Sequence, residues 1–166
     1  GWLCTTINEE KFASYGLDEY FNIFGTGSDT ALVTSMVNAY EKGHPWLGYY
    51  WEPTWVMGKL EMTRLEEPNY NQEAWNRDKG CAYPSAKVFK GINTGLKDQA
   101  PEIIDFLEKY ETTLDQNNDM LSYLNSVNGD TEKAALYFLK EYPGIWQSWL
   151  PAQVAAQVEK SLNEVD

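Results

Sequence analysis

Short apolar runs alternate with helical patterns in the first half of the chain. Runs rich in β-branched and aromatic residues lie over 3–7, 20–24 and 46–51. They predict three strands. Between the strands, the pattern predicts one helix that begins after Asn8 and stops at Gly16, and another from about Ser28 to Lys42. Alternating strands and helices are typical of a parallel sheet that is covered by helices.

The second half of the chain reads as helical. A polar stretch over 66–80 predicts a surface connection, and 86–92 is one further strand candidate. The predicted helix starts carry a capping residue or an opening proline: Pro101, Thr113 with Gln116, Asp130 and Pro151. The change from alternation to consecutive helices predicts a boundary near residue 80, with one lobe over 1–80 and another part over 81–166.

Composition narrows the classes of partner. The chain has 166 residues, a formal net charge of −12 and a pI of about 4.5. Such a charge repels phosphate backbones and anionic lipid surfaces, so we expect no nucleic-acid partner. No apolar run reaches the roughly 20 residues of a membrane helix. Cys4 and Cys81 could pair or stay free, and without metal-ligand spacing we expect neither a metal ion nor a cofactor.

Candidate catalytic residues are few. His44, between a glycine and a proline, has no nucleophile motif to serve, so an exposed loop histidine is predicted. The GTGS stretch over 25–28 lacks the lysine of a phosphate loop and is better explained as a turn that leads into a helix. Glu52, between two tryptophans, would suit a glycoside hydrolase, or else is a solvated charge or a salt-bridge partner.

Tryptophan is unusually dense, with seven in the chain and three within 46–55. Trp51 ends a predicted strand, and ligands of open parallel sheets bind at the carboxyl ends of strands. Trp2 precedes the first predicted strand and fits that rule less well. The other five are predicted to be packing residues: Trp46, Trp55, Trp75, Trp146 and Trp149. These residues by themselves leave a binding domain, a carbohydrate-binding module or a structural fragment open.

Four segments carry a resemblance to a known family. They are GWLCTTINEEKFASYGL from residue 1, KGHPWLGYYWEPTWVMGKLEM from residue 42, CAYPSAKVFKGIN from residue 81 and the helical tail WLPAQVAAQVEKSLNEV from residue 149. The sequence resembles the glycine betaine/proline betaine-binding proteins of ABC importers, which have the type II periplasmic-binding-protein fold. The resemblance implies an incomplete α/β fold: a parallel β-α-β second lobe over 1–80, then a crossover strand and the helical C-terminal part of the first lobe over 81–166.

The resemblance also implies a ligand site and no enzyme activity. Family members surround a quaternary ammonium group with tryptophans, and Trp2 and Trp51 match two walls of that box. The backbone N–H groups of Leu3 and Cys4 match donors to the ligand carboxylate. Trp faces suit a methylated cation, which has no N–H to donate, and each contact contributes ~0.5–2 kcal/mol.

Partners and location follow from the same resemblance. It implies a small quaternary ammonium ligand such as betaine or choline, a membrane permease, and an extracytoplasmic place in the periplasm or on a cell-surface lipoprotein. Further walls of the box would come from a segment that precedes residue 1. We therefore expect the chain to pair with this missing N-terminal lobe segment or to self-associate through an exposed sheet edge.

Overall fold

A computed structural model describes residues 2–164 of the chain. In chain order the helices are α1 Leu3–Ser14, α2 Asp29–Glu41, α3 Trp55–Lys59, α4 Gln72–Arg77, α5 Leu96–Gln99, α6 Pro101–Lys109, α7 Leu114–Ser126, α8 Thr131–Glu141, α9 Pro143–Trp149 and α10 Ala152–Leu162. A short 3-10 helix covers Leu17–Glu19. The residues divide into an N-terminal unit, 2–50 with 62–87, and a C-terminal unit, 51–61 with 88–164.

Residues 3–7, predicted as a strand, instead form the first turns of α1. The less exposed residues of this helix and its C-cap recur at helical spacing: Cys4, Ile7, Asn8, Lys11, Phe12 and the C-cap Tyr15. Two of these inward positions are polar, so the stripe is invisible to a search for apolar residues. The predicted helix start at Asn8 is therefore wrong. The predicted stop is confirmed, because Gly16 follows the helix with a φ of 64°.

Helix α2 forms where the sequence predicts it. The Ser28 hydroxyl accepts a hydrogen bond from the Ala31 N–H at 3.2 Å, which caps the helix start. Val33 and Met36 are its buried residues, and Gly43 follows the helix end with a φ of 64°. The GTGS stretch is therefore a turn that leads into a helix, as expected, although no strand precedes it in the described residues.

The other predicted strands do not pair within residues 2–164. Segments 20–24, 46–51 and 86–92 carry no ladder of strand hydrogen bonds in this part of the chain. Phe24, Val88 and Phe89 are 82–96% exposed. A strand requires a neighbouring strand in register with it, and the described residues form no such ladder at these segments. The predicted parallel sheet is not confirmed.

Several short helices were not predicted from the sequence, among them α3 and α4. Within the polar connection over 66–80, the Asn71 side chain accepts from the N–H groups of Glu73 and Ala74 at 2.9 and 3.0 Å and starts α4. The stretch predicted only as a surface connection therefore contains a short helix. Helix α3 is likewise capped by Thr54, whose hydroxyl accepts from the Met57 N–H.

The C-terminal unit confirms the predicted helix starts. Thr113 and Gln116 form a reciprocal capping box, and the Asp130 carboxylate accepts from the Lys133 N–H at 3.1 Å. Trp146 and Trp149 are 3% and 6% exposed and form a core with Ala155. Their predicted packing role is confirmed. This core packs α9 against α6, α8 and α10.

Helices α3 and α7 approach at a single glycine. A Cβ atom at Gly58 would lie 2.1 Å from the carbonyl oxygen of Asn118, a backbone atom that cannot move independently. Val56 on α3 and Leu60, the residue that caps the end of α3, are 0% and 6% exposed. Glycine is therefore the residue type that this contact requires.

We predict that Gly58→Ala lowers the free energy of unfolding by roughly 1–3 kcal/mol, as overpacking does, because the two helix backbones must separate. Urea denaturation followed by circular dichroism measures the change. Gly144→Ala is the matched control, since that glycine also lies in a helix and its Cβ would meet no atom within 4 Å. Equal stability of the two variants would contradict the predicted clash.

Candidate ligand-binding site

Three of the predicted ligand residues open α1 in the N-terminal unit. Trp2 is the N-cap, with an extended backbone and a side chain that is 55% exposed. Leu3 and Cys4 are the first two helical residues, so their N–H groups have no carbonyl within the helix to bind. The first turn carries no acidic residue. A helix start with these free donors suits a carboxylate ligand.

An aromatic cluster lies beside the same helix. Its members are Tyr49, Tyr70, Trp75 and Tyr83, with neighbouring ring centroids 5.3–5.9 Å apart. The Tyr83 hydroxyl donates to the Asn8 side chain at 2.8 Å, which joins the cluster to α1. Burial, together with the nearby Cys4 thiol, raises the pKa of the Tyr49 hydroxyl. Sequence reasoning missed this cluster because its members are far apart in the chain.

Lys11 is a buried cation on the inner side of α1, only 7% exposed. Its Nζ donates to the Cys81 carbonyl and forms an ion pair with Glu67. The same ammonium lies 5.1 Å from the ring centre of Tyr83 and 5.5 Å from that of Tyr15. We call this group the Lys11 clamp, and it fixes α1 against residues 67–83.

The Lys11 clamp also perturbs a tyrosine. The Tyr15 hydroxyl donates to Glu67 at 2.8 Å. Burial first, and then the bond to the Glu67 carboxylate, raises the pKa of Tyr15 well above its usual value. The hydroxyl therefore stays protonated and keeps donating at neutral pH.

Trp51, the fourth predicted residue, begins the C-terminal unit and is half-buried. The backbone that follows it is tied to α7 through Asn118. The Asn118 Nδ2 donates to Glu52 Oε1 at 2.7 Å, and the Thr54 N–H donates to Asn118 Oδ1 at 2.9 Å. Glu52, considered above as a catalytic acid or a solvated charge, is therefore held by an amide.

The remaining candidates have structural surroundings. His44 is exposed in the turn after α2, as expected, and its N–H donates to the Ala39 carbonyl at 2.8 Å. Trp46 is half-buried, and its Nε1 donates to Ser35 on α2 at 3.2 Å. Cys4 and Cys81 are both free thiols. Across residues 2–164, no group of three His, Cys, Asp or Glu side chains could hold a metal ion.

Within residues 2–164, no helix combines the length and the apolar character needed to cross a membrane.

Most of the chain matches a known protein family. The family model OpuAC, described as the substrate binding domain of an ABC-type glycine betaine transport system, matches residues 1–141. The chain is thus a substrate-binding domain of ABC transport, and it belongs to the OpuAC family. A comparison with curated proteins found no match.

The family has a characteristic fold, role and location. The family implies a periplasmic-binding-protein-like fold and a substrate-binding role in glycine betaine transport. Its members work with an ABC permease, are generally not enzymes and are usually extracytoplasmic. The helices described above are compatible with that fold, whereas its strands are not formed in residues 2–164.

We predict that Lys11→Met lowers the free energy of unfolding by roughly 2–3 kcal/mol, because Glu67 and the Cys81 carbonyl lose their buried partner. Methionine keeps most of the side-chain volume. Lys133→Met is the control, since that lysine is 64% exposed in its ion pair with Asp130 and should cost less than ~1 kcal/mol. Urea denaturation compares the two, and similar losses would contradict a special role for the clamp.

Proposed function

We propose that this chain binds glycine betaine or a related quaternary ammonium osmoprotectant for an ABC importer, outside the cytoplasm. The observation that carries the proposal is the family match over residues 1–141. In this proposal the chain captures its solute and delivers it to the permease without catalysing a reaction. Uptake of betaine for osmoprotection, or of related amino-acid derivatives, is the cellular role that follows.

The aromatic side chains Trp2 and Trp51 are proposed to bind the ammonium group. A trimethylammonium cannot donate a hydrogen bond and cannot lose its charge, so a π face is the group that recognises it best. The half-exposed ring of Trp2 supports this role. The net charge of −12 adds a long-range attraction for a cationic group near the surface.

The carboxylate of the ligand is proposed to bind the N–H groups of Leu3 and Cys4. Their place in the first turn of α1 supports this role, because a helix start offers unpaired donors and a partial positive charge. The Lys11 clamp would then keep that helix start in place through its bonds to residues 67–83.

The arrangement of lobes remains part of the proposal. Residues 1–80 would form the second lobe with its β-α-β core, and residues 81–166 the crossover strand and the helical end of the first lobe. The exposed extended segments 20–24 and 86–92 support this, because their apolar side chains suit strands of a covered sheet. A further lobe segment or a second copy would supply the pairing strands.

Isothermal titration calorimetry with matched solutes tests the function. Glycine betaine, proline betaine, choline and carnitine should bind, whereas glycine, which has the same carboxylate but no methyl groups, should bind far more weakly. The compound 3,3-dimethylbutanoate replaces the ammonium nitrogen by carbon and separates cation recognition from shape.

Saturable binding of oligosaccharides without binding of methylammonium solutes would overturn the proposal in favour of a carbohydrate-binding module. Hydrolysis that Glu52→Gln abolishes would indicate a glycosidase.

We predict that Trp51→Ala weakens glycine betaine binding by at least ~1 kcal/mol, about fivefold in Kd, through loss of one cation-facing wall. Calorimetry on both proteins measures the change. Trp55→Phe is the control. The Lys59 ammonium lies 6.0 Å from the Trp55 ring centre, so this ring already has a cation from the chain itself and is not expected to contact the ligand. An affinity that Trp51→Ala leaves intact would show that Trp51 is not a wall.

A further inference from the structure

We propose that Asn118, on α7, is a positioning residue that holds the backbone after Trp51 and so orients the Trp51 ring. The inference rests on the proposed function in treating Trp51 as a ligand residue. Asn118 itself touches no ligand in this proposal. Its role is to connect residues 51–54 to a helix that lies more than 60 positions further along the chain.

The geometry of Asn118 is that of a two-sided clamp. Its side-chain oxygen accepts from the Thr54 N–H at 2.9 Å, and its side-chain nitrogen donates to Glu52 at 2.7 Å. Both ends of one amide thus hold positions two residues apart, directly after Trp51. Asn118 is 6% exposed, and within residues 2–164 only it and Lys11 are buried polar residues.

Asparagine is the side chain that this position requires. A buried acceptor is needed for the Thr54 N–H, and a donor is needed for the Glu52 carboxylate. Aspartate would keep the acceptor but set a second carboxylate against Glu52. Leucine would leave the Thr54 N–H without a partner. An asparagine amide is short enough to satisfy both groups from one Cβ atom.

The support behind Asn118 is rigid. The capping box of Thr113 and Gln116 fixes the start of α7 one turn before it. The neighbouring Asp119 accepts hydrogen bonds from the Tyr137 and Tyr142 hydroxyls at 3.0 and 2.8 Å, which ties α7 to the α8 side of the unit. On the other side, Gly58 allows α3 to lie directly on the Asn118 carbonyl. Because these contacts hold Asn118 in place, its side chain also fixes the position of Glu52 and Thr54.

The test uses Asn118→Asp and a repaired double variant, Asn118→Asp with Glu52→Gln. In the double variant, the glutamine amide donates to the new aspartate, whose other oxygen still accepts from the Thr54 N–H. The hydrogen bonds are therefore restored with reversed polarity. Asn125→Asp is the control, because it makes the same charge change at an exposed site on α7.

Two readouts separate this inference from the proposed function. The first is ¹⁹F NMR of protein labelled with 5-fluorotryptophan, in which Trp51→Phe assigns the Trp51 line among the seven tryptophans. The second is the Kd for glycine betaine. We expect Asn118→Asp to shift or broaden the Trp51 line and to weaken glycine betaine binding about fivefold. The double variant should return the Trp51 line to its wild-type position and the Kd to within about twofold of the wild-type value.

A Trp51 line that Asn118→Asp leaves unchanged would overturn the inference, and so would a folded double variant that restores neither readout. If the wild-type chain binds no betaine, the proposed function fails. The NMR comparison still decides whether Asn118 positions Trp51, because it needs no ligand.

Discussion

The contact between α3 and α7 is the constraint on which the C-terminal unit depends. Gly58 brings the two backbones together, and Asn118 uses that closeness to bind residues on both sides of Pro53. Through this contact, the segment 51–61 belongs to the same unit as residues 88–164. Because Trp51 begins that segment, the placement of a proposed ligand residue depends on a helix far away in the sequence.

The N-terminal unit uses a comparable device. Lys11 joins α1, which begins with Trp2, to residues 67–83. Lys11 and Asn118 are the buried polar residues of the described chain, and each fixes a stretch that carries proposed ligand residues. Buried polar groups are costly unless every partner is present, so each tolerates one arrangement of its neighbours. In both units, a hydrogen-bonded side chain therefore specifies geometry that apolar packing alone would leave less defined.

The Lys11 clamp also illustrates the chemistry proposed for the ligand. Its ammonium lies over two tyrosine rings and is satisfied by a carboxylate and a carbonyl. A lysine has N–H groups and can use such oxygens, whereas a trimethylammonium has none and depends on ring faces. In the proposed site, tryptophan faces would therefore favour a methylated cation, which cannot use the oxygen atoms that hold Lys11.

The amino-acid sequence alone determined the features that depend on contacts between residues close together in the chain. The helix start at Ser28, the Thr113 and Asp130 caps and the glycines after α1 and α2 are confirmed, because a cap is satisfied within one helical turn. The family was also recognisable from motifs alone. Tertiary structure decided the start of α1, whose inward stripe includes Asn8 and Lys11, and the lack of strand pairing in residues 2–164. It also decided the Asn118 and Lys11 clamps, because their partners lie 56 to 70 residues away and no local pattern encodes such a distance.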